Sequence, residues 1–457
     1  MSQKDDRTSR GASRRSFLAA TAGLMATVGA GPAAAASTDA SASSQLGAPR
    51  TTEPEPFWGD HQAGIVTPAQ SHTYFAALDL ATSKRDDVVK LLQVWTLASA
   101  RMASAQTAQP LEDGLKPVLT SGEGDAQQQG YDAEEKPDPS AMAADSGEAL
   151  DLPPARLTVT FGFGAGLFVK DGNNRFGLAA HRPEALVDMP KFVGDQLVDA
   201  HTGGDLSIQA CADDPQVAFH AVRQLARLAD TVARIRWVQT GFVPNFGQKQ
   251  TPRNLMGFKD GTNNPLVSDP KAMAGVVWVG DEGPSWMRGG SYLVVRRIRI
   301  ALEHWDRMKV AFQEETVGRD KYSGAPLGKK NEFDSLDLDA VDKDGNPIIA
   351  ENAHVRLAAA ATNDGAQILR RPYSYNDGVD FTAERWPPWR QGMEYDAGLF
   401  FLAYQRDPRT GFIKIYDRMS KLDMMNQFVT HVGGGLFACP PGVAQGEFIG
   451  QRLFEAI

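Results

Sequence analysis

The sequence predicts an α+β protein of two similar units, each a layer of helices on an antiparallel sheet. Three observations lead there. Strand-like and helix-like stretches alternate, without the turn-punctuated run of short strands that marks an all-β chain. The order of these stretches in the first half returns in the second. The length of 457 residues is enough for two substantial cores.

The elements follow in order. "SHTYFAALDLA" (Ser71–Ala81) reads as a strand. Asp86–Met102 carries apolar residues at helical spacing with acids at its start, where the helix dipole favours them. Gln106–Ala149 is polar, Gly-rich and acidic, the composition of a long surface insertion or loop. Arg156–Phe168 is a β-branched strand running into glycines, and Gly204–Asp214 is another strand. Pro215–Ala229 is a helix with proline in its first turn, and Arg234–Val243 returns to strand. In the second half, Gly289–Leu302 reads as strand, Glu303–Arg319 as one helix and Ala397–Asp407 as an apolar strand. Gly411–Gly442 reads as helix, glycine turn and short strand. The expected division is 1–36, an export signal; 37–58, a flexible lead; 59–243, an N-terminal unit; and 244–457, a C-terminal unit.

The signal rests on "SRRSFLAATAGLMATVGAGPAAAAS", with Arg14 and Arg15 ahead of a moderately apolar run and small residues. Ser13–Leu18 resembles a twin-arginine signal, a route that carries proteins already folded. Cleavage after Ala36 fits the small-residue rule. The run Phe17–Val28 is too short and too rich in Ala, Gly and Thr to span a bilayer, and no later stretch is a membrane anchor. The expected location is extracellular, in the cell envelope or in the periplasm. A net charge of −9 argues against general nucleic-acid binding. Two cysteines, Cys211 and Cys439, exclude a disulfide-built scaffold, and each sits in a strand-like context that suits a buried thiol.

Chemistry-bearing residues are few. The segment "NLMGFKDGTNNP" (Asn254–Pro265) holds Asp260 between Gly257 and Gly261, with Leu255, Met256 and Phe258 threaded through it. Its composition is that of a surface turn; its apolar residues are those of an anchored loop. Six of the eight histidines (His61, His72, His181, His201, His220, His304) lack ligand-like spacing, and no HExxH, CxxC or Cys/His cluster is present, so a zinc site is not expected. His431, near a helix end, reads as structural. His354 stands among Ala353, Val355, Leu357 and Ala358, a small-residue wall with room for a flat ligand. Arg370 and Arg371 follow a strand-like apolar run sixteen residues later. A haem peroxidase needs such a set: a histidine on iron, a proton acceptor for peroxide, and a cation for the charge that develops as the O–O bond breaks.

With these motifs in view, the chain resembles the dye-decolourising (DyP-type) haem peroxidases of the twin-arginine-exported branch, over about Gly59–Leu453. The resemblance is carried by the GxxDG motif Gly257-Phe258-Lys259-Asp260-Gly261, extended by Thr262-Asn263, and by "HVRLA", "ILRRPYSY" and "TVTFGFG". It implies two ferredoxin-like units with antiparallel sheets and peripheral helices, of the dimeric α+β barrel type. It implies one haem b (iron protoporphyrin IX) per chain, held by the C-terminal unit, with His354 as proximal iron ligand. Asp260 becomes the acid–base group and Arg370 the distal cation, with Arg371 as rival. Gly257, Phe258, Gly261 and Thr262 become haem-lining residues. Asp396 becomes the acceptor for the other imidazole N–H of His354. The family pattern often has Asn-Pro after this motif, where Ala359-Ala360-Ala361 stands here.

The implied activity is reduction of hydrogen peroxide with oxidation of dyes, phenolic or other one-electron donors through a ferryl intermediate. For bulky donors, Trp386, Trp389, Tyr373 and Tyr375 are candidate surface relays. Two alternatives stand beside this. One is deferrochelatase-like release of iron from haem in iron uptake. The other is a non-catalytic haem- or copper-binding envelope protein, supported by thirteen methionines including Met424-Met425. The expected partners are peroxide and the donor, without nucleic acid or membrane span, in a possible homo-oligomer.

Overall fold

Each half of the chain lays down four long antiparallel strands in one order. The computed structural model describes residues 53–111, 114, 116, 142–244, 250–383 and 391–456. The export signal, most of the lead and the middle of the 106–149 stretch lie outside the described residues. The first half holds β1 (His72–Leu80), α1 (Arg85–Ala103), β2 (Thr158–Gly164), α2 (Ala165–Phe168), β3 (Leu206–Ala212), α3 (Pro215–Leu228) and β4 (Ala233–Phe242). The second holds α4 (Pro270–Val276), β5 (Ser291–Ile300), α5 (Leu302–Trp305), α6 (Val310–Val317), α7 (His354–Ala358), β6 (Leu369–Arg370), β7 (Tyr373–Ala383), β8 (Gln391–Gln405), α8 (Phe412–Leu422), β9 (Val429–Cys439) and α9 (Gln451–Glu455). The first four strands pair as β2-β3-β1-β4. The long strands of the second half pair as β7-β8-β5-β9, with short β6 against β8. One ferredoxin-like topology is thus used twice.

The two sheets join at both edges. Phe163 and Gly164 of β2 face Ala438 and Phe437 of β9, and Phe242 of β4 faces Ser374 of β7. Closure makes a barrel and removes free edges at those positions. Alternation then sorts the side chains. Phe75, Trp237, Leu293, Phe400, Leu402 and Tyr404 fill the interior. Ala76, Leu78 and Leu80 of β1 face outward, under α1 and α3, in a second core with Trp95 and Leu225. β2 and β3 are buried on both faces along their whole length. Asp214 caps α3 by accepting from the backbone N–H groups of Gln216 and Val217. Cys211 and Cys439 are buried free thiols.

Four local readings change. The expected helix over 303–319 breaks into α5 and α6, because Trp305 is buried and Gln313 Nε2 donates to the carbonyls of Trp305 and Met308 at the break. The glycines Gly433–Gly435 lie inside β9, not in a turn. A Cβ on Gly434 would stand 2.2 Å from the carbonyl oxygen of Val295, so the strand needs glycine there. β7, with its Tyr-Ser-Tyr-Asn-Asp-Gly start, escaped the reading because turn-forming residues interrupt its apolar pattern. The end of the lead is docked rather than free: Phe57 is buried and Glu55 pairs with Arg156 at 2.8 Å. Among the described residues, no helix is long and apolar enough to cross a membrane.

The end of the acidic 106–149 stretch is clamped on α3. His220 Nε2 lies 3.3 Å from Asp145 Oδ2 and Nδ1 lies 3.2 Å from Glu148 Oε1. Burial disfavours the His220 cation, but hydrogen bonds and charge from Asp145 and Glu148 outweigh it and raise its pKa above the usual 6.5. Burial also works against the Asp145 carboxylate, yet His220 and two backbone N–H groups bring its pKa down to about 2. A raised histidine pKa stabilises fully below 6.5 and fades as pH rises through the shifted value. A lowered carboxylate pKa stabilises above 3.8 and fades as pH falls through the shifted value. Replacing His220 with Gln therefore costs most between pH 3.8 and 6.5, and the gap to the parent narrows at alkaline pH. Thermal melting of both proteins across pH checks this; a gap independent of pH would show that packing, not charge, holds the clamp.

Candidate active site

A cavity opens against the outer face of the second sheet. It measures about 1690 Å³ out to its mouth. Ile298 and Ile300 of β5 and Leu399 and Phe401 of β8 form its floor, and Ile415 and Met419 of α8 an apolar side. Asp260, Arg370 and His354 all line it.

The acid arrives on a turn built as its sequence requires. Asn254 Oδ1 accepts from the N–H of Met256, and the N–H of Gly257 donates to the carbonyl of Asn254. Gly257 and Gly261 have φ of +85° and +120°, which side chains disfavour. Met256 and Phe258 are buried beside Trp305, whose indole N–H donates to the Met256 carbonyl. This anchors the loop. Asp260 Oδ1 accepts from Arg370 Nη1 at 2.8 Å. Asn264 braces that pair, donating to the Arg370 carbonyl at 2.7 Å and accepting its backbone N–H at 3.2 Å. Phe258, Gly261 and Thr262 line the cavity. The Thr262 hydroxyl donates to Glu332, which also holds Lys259. Gly257 does not line the cavity: a Cβ there would stand 3.0 Å from Lys321, so this glycine serves the turn.

His354 begins α7. Its Nδ1 lies 2.7 Å from Asp423 Oδ2, just past the end of α8. Asp423 is itself fixed, because its Oδ1 accepts the Met425 N–H at 2.8 Å. Nε2 remains the ring atom open to a ligand. Burial opposes the imidazolium, but Asp423 overcomes it and raises the His354 pKa above 6.5. Val355 and Ala358 line the cavity, while Ala353 and Leu357 are buried behind it. The alanine run continues as a single 3-10 turn, closed by Asn363 Nδ2 donating to the carbonyls of Leu357 and Ala359.

Three expectations need correction. Asp396 does not reach His354. Its Oδ2 accepts from Arg297 Nη2 at 2.8 Å, because on β8 it shares the barrel-facing parity of Phe400 and Leu402, whereas Leu399 and Phe401 face the cavity. Asp423 holds the place expected for it. Arg371 is no rival to Arg370: it follows β6 and is buried, donating to the Thr67 carbonyl and to Gln70. Tyr373 and Tyr375 are buried in the barrel, not on the surface. Trp386 and Trp389 lie outside the described residues. His431, read as structural, lines the cavity together with Tyr416. A strand parity argument could have excluded Asp396; nothing local marks Asp423, which is 69 residues from its partner.

Comparison with known proteins decides the family. Residues 62–243 match the N-terminal model of the Dyp-type peroxidases, and residues 251–444 match the C-terminal one. The chain is a Dyp-type peroxidase. It is 36% identical over 482 residues to the dye-decolorizing peroxidase of Thermobifida fusca (strain YX), covering 98% of this chain and 99% of that one. It is 34% identical over 465 residues to the deferrochelatase of Escherichia coli (strain K12), covering 100% of both. Among solved structures, ferric DtpA from Streptomyces lividans superposes with a TM-score of 0.74 at 36% identity, covering 89% of this chain and 98% of that one. A DypB variant from Rhodococcus jostii RHA1 in complex with heme shares the fold at 21% identity and a TM-score of 0.53.

If Asp423 is the group that raises the His354 pKa, Asp423→Asn lowers that pKa and Asp396→Asn leaves it in place. Nitrogen-detected NMR titration of the imidazole reads this directly. Equal effects from the two variants would contradict the assignment.

Proposed function

We propose that this peroxidase binds one haem b in the cavity beside His354, reduces hydrogen peroxide there, and oxidises dyes, phenols or other one-electron donors. One observation carries the reading: an Asp260–Arg370 ion pair shares a cavity with a histidine whose Nδ1 is already engaged by a buried carboxylate. The residues fit a flat iron porphyrin. Apolar side chains of β5, β8 and α8 (Ile298, Ile300, Leu399, Phe401, Ile415, Met419) form a broad wall beside the imidazole. His354 offers one free ring nitrogen, and the carboxylate on the other nitrogen fixes its tautomer and makes it a better donor to iron.

Haem, when bound, supplies the iron at which peroxide is reduced. The chain's own groups handle protons and charge. Asp260 accepts the first proton of peroxide and returns it to the departing oxygen. Its Oδ1 is held by Arg370, and among the described residues no donor engages Oδ2, which leaves that oxygen for proton exchange. Arg370 stabilises negative charge developing on peroxide, a fixed guanidinium needing no reorganisation at the moment of reaction. Asn264 keeps Arg370 in place through its backbone. Phe258, Gly261 and Thr262 contribute cavity wall, and the φ of Gly261 lets the loop lie close over the ligand.

A second reading, release of iron from haem with the porphyrin left intact, is favoured by full-length similarity to deferrochelatases. For location, the twin-arginine-like Ser13–Leu18 supports export and a site of action outside the cytoplasmic membrane.

The test is rapid mixing of haem-loaded protein with peroxide, followed in the Soret band. Asp260→Asn slows that reaction by about 10²–10⁴, and Arg370→Leu by about 10²–10³, with haem retained in both. Unchanged rates in both variants would contradict the assignment of these roles. Metal-free porphyrin accumulating without peroxide turnover would favour the iron-release reading.

A further inference from the structure

The clamp on α3 gathers more ligating chemistry than a salt bridge needs. Asp145, Glu148 and His220 each place one donor atom within 4.8 Å of the other two. Among the described residues, no other three His, Cys, Asp or Glu side chains come together in this way. The spacing of the histidines along the chain hid the group. His220 stands on α3, and both acids arrive from the end of the 106–149 stretch. None of the three lines the cavity of His354.

Two of the donors are set in place by their surroundings. Asp145 Oδ1 accepts the Gly147 N–H at 2.8 Å, and Oδ2 accepts the Ala108 N–H at 3.0 Å. Its side chain is 1% exposed, and that of His220 is 7% exposed. His220 Nε2 stands 3.3 Å from Asp145 Oδ2. In a tetrahedral metal site with bonds of ~2.0–2.2 Å, neighbouring donors stand ~3.3–3.5 Å apart. This pair already spans one edge of such a site. Glu148 is the looser third. Its Oε2 accepts from the Ser146 hydroxyl. Its Oε1 is closed to solvent and lies 3.2 Å from both His220 Nδ1 and Arg223 Nη1, without a well-directed hydrogen bond from either. A buried carboxylate oxygen left so is uncommon and asks for a partner.

The charges call for a divalent cation. Two carboxylates face one imidazole, and a protonated His220 answers only one of them in a site shielded from water. Among the described residues, the other cation paired with them is Arg223, whose side chain is 47% exposed and reaches Oε1 from the rim. A doubly charged ion on a neutral imidazole balances both carboxylates. One imidazole nitrogen with two carboxylate oxygens, and no thiolate, suits Zn²⁺ or a similar first-row ion. Cuprous ion prefers sulfur, and Ca²⁺ and Mg²⁺ prefer oxygen alone.

We propose that Asp145, Glu148 and His220 form a divalent transition-metal site, with Zn²⁺ the fitting ion, that fastens the end of the acidic stretch to α3. Three protein ligands leave one coordination position for water. On binding, Glu148 exchanges its contact with Arg223 for the metal, and Arg223 turns to solvent. The metal-free clamp and the metal-bound clamp use the same three side chains, with a proton on His220 in the first and the ion in the second. The site is independent of the haem reading and stands if that reading fails.

Calorimetric titration of the full chain with Zn²⁺, together with thermal melting, tests this. The parent binds one Zn²⁺ and melts at a higher temperature with it than without. Asp145→Asn and His220→Gln each weaken binding at least about tenfold, the loss that disturbing a ligand's own hydrogen bond already brings. Arg223→Gln, an exposed change that leaves the three donors in place, tightens binding by removing the opposing charge. In crystals soaked with Zn²⁺, the anomalous difference across the zinc edge peaks beside His220 and Asp145. No saturable binding to the parent, equal binding to the parent and Asp145→Asn, or a zinc peak only elsewhere would overturn the inference. If Asp145→Asn and His220→Gln fail to fold, Arg223→Gln decides: an affinity unchanged or weakened there overturns the site.

Discussion

His354 Nδ1 and Asp423 Oδ2 lie 2.7 Å apart, and the orientation of the imidazole in the cavity follows from that contact. The bond joins the first residue of α7 to the residue just past the end of α8. It fixes the plane of the imidazole and decides which nitrogen is free. Asp423 can do this because it is buried and held by the backbone of Met425. A free side chain at that position would pay for ordering in rotamer entropy and leave the ring to rotate. The Asp260–Arg370 pair is ordered by the same device, a polar side chain bonded to backbone: Asn264 on Arg370, Asn254 beneath the turn. Both functional groups are thus carried on loops and short helices but braced against rigid elements.

The repeated topology explains where a cavity can exist. The outer face of the first sheet is tightly covered, with Ala76 and Leu78 packed under α1 and α3. The barrel interior is filled by aromatic side chains. Only the outer face of the second sheet stays partly uncovered, because the connection from β5 to β7 is long and its helices α5, α6 and α7 are short. α8 covers one side of Ile298 and Leu399, and the Asn254–Asn263 loop reaches the other. One topology therefore yields a closed half and an open half, and the difference lies in the connections rather than in the strands.

Much of this was legible in residues. The strands β1, β3, β4 and β5 announced themselves by β-branched and apolar patterning, and α1 and α3 by helical periodicity. The glycines and apolar neighbours of Asp260 marked an anchored turn, and its role came from the family resemblance. His354 and Arg370 were recognised by family resemblance, and the cavity brings both together with Asp260. What the sequence hid was long-range. Asp423 joins His354 only because α8 folds back across the second sheet. Asp396 attracted attention by sitting before an apolar strand, yet its parity sends it into the barrel to Arg297. β7 was hidden by Asn-Asp-Gly at a register shift between Asn376 and Val379, which looks like a turn in sequence and is an irregularity within a hairpin in space.

The central claim is that His354, positioned by Asp423, presents Nε2 to a haem iron in this cavity. Its most direct test is titration of haem into the parent protein and into His354→Ala, read by visible absorption and electron paramagnetic resonance. The account predicts one haem per chain with a histidine-ligated ferric signature in the parent, and loss of that signature in the variant. Identical spectra from the two proteins would contradict it.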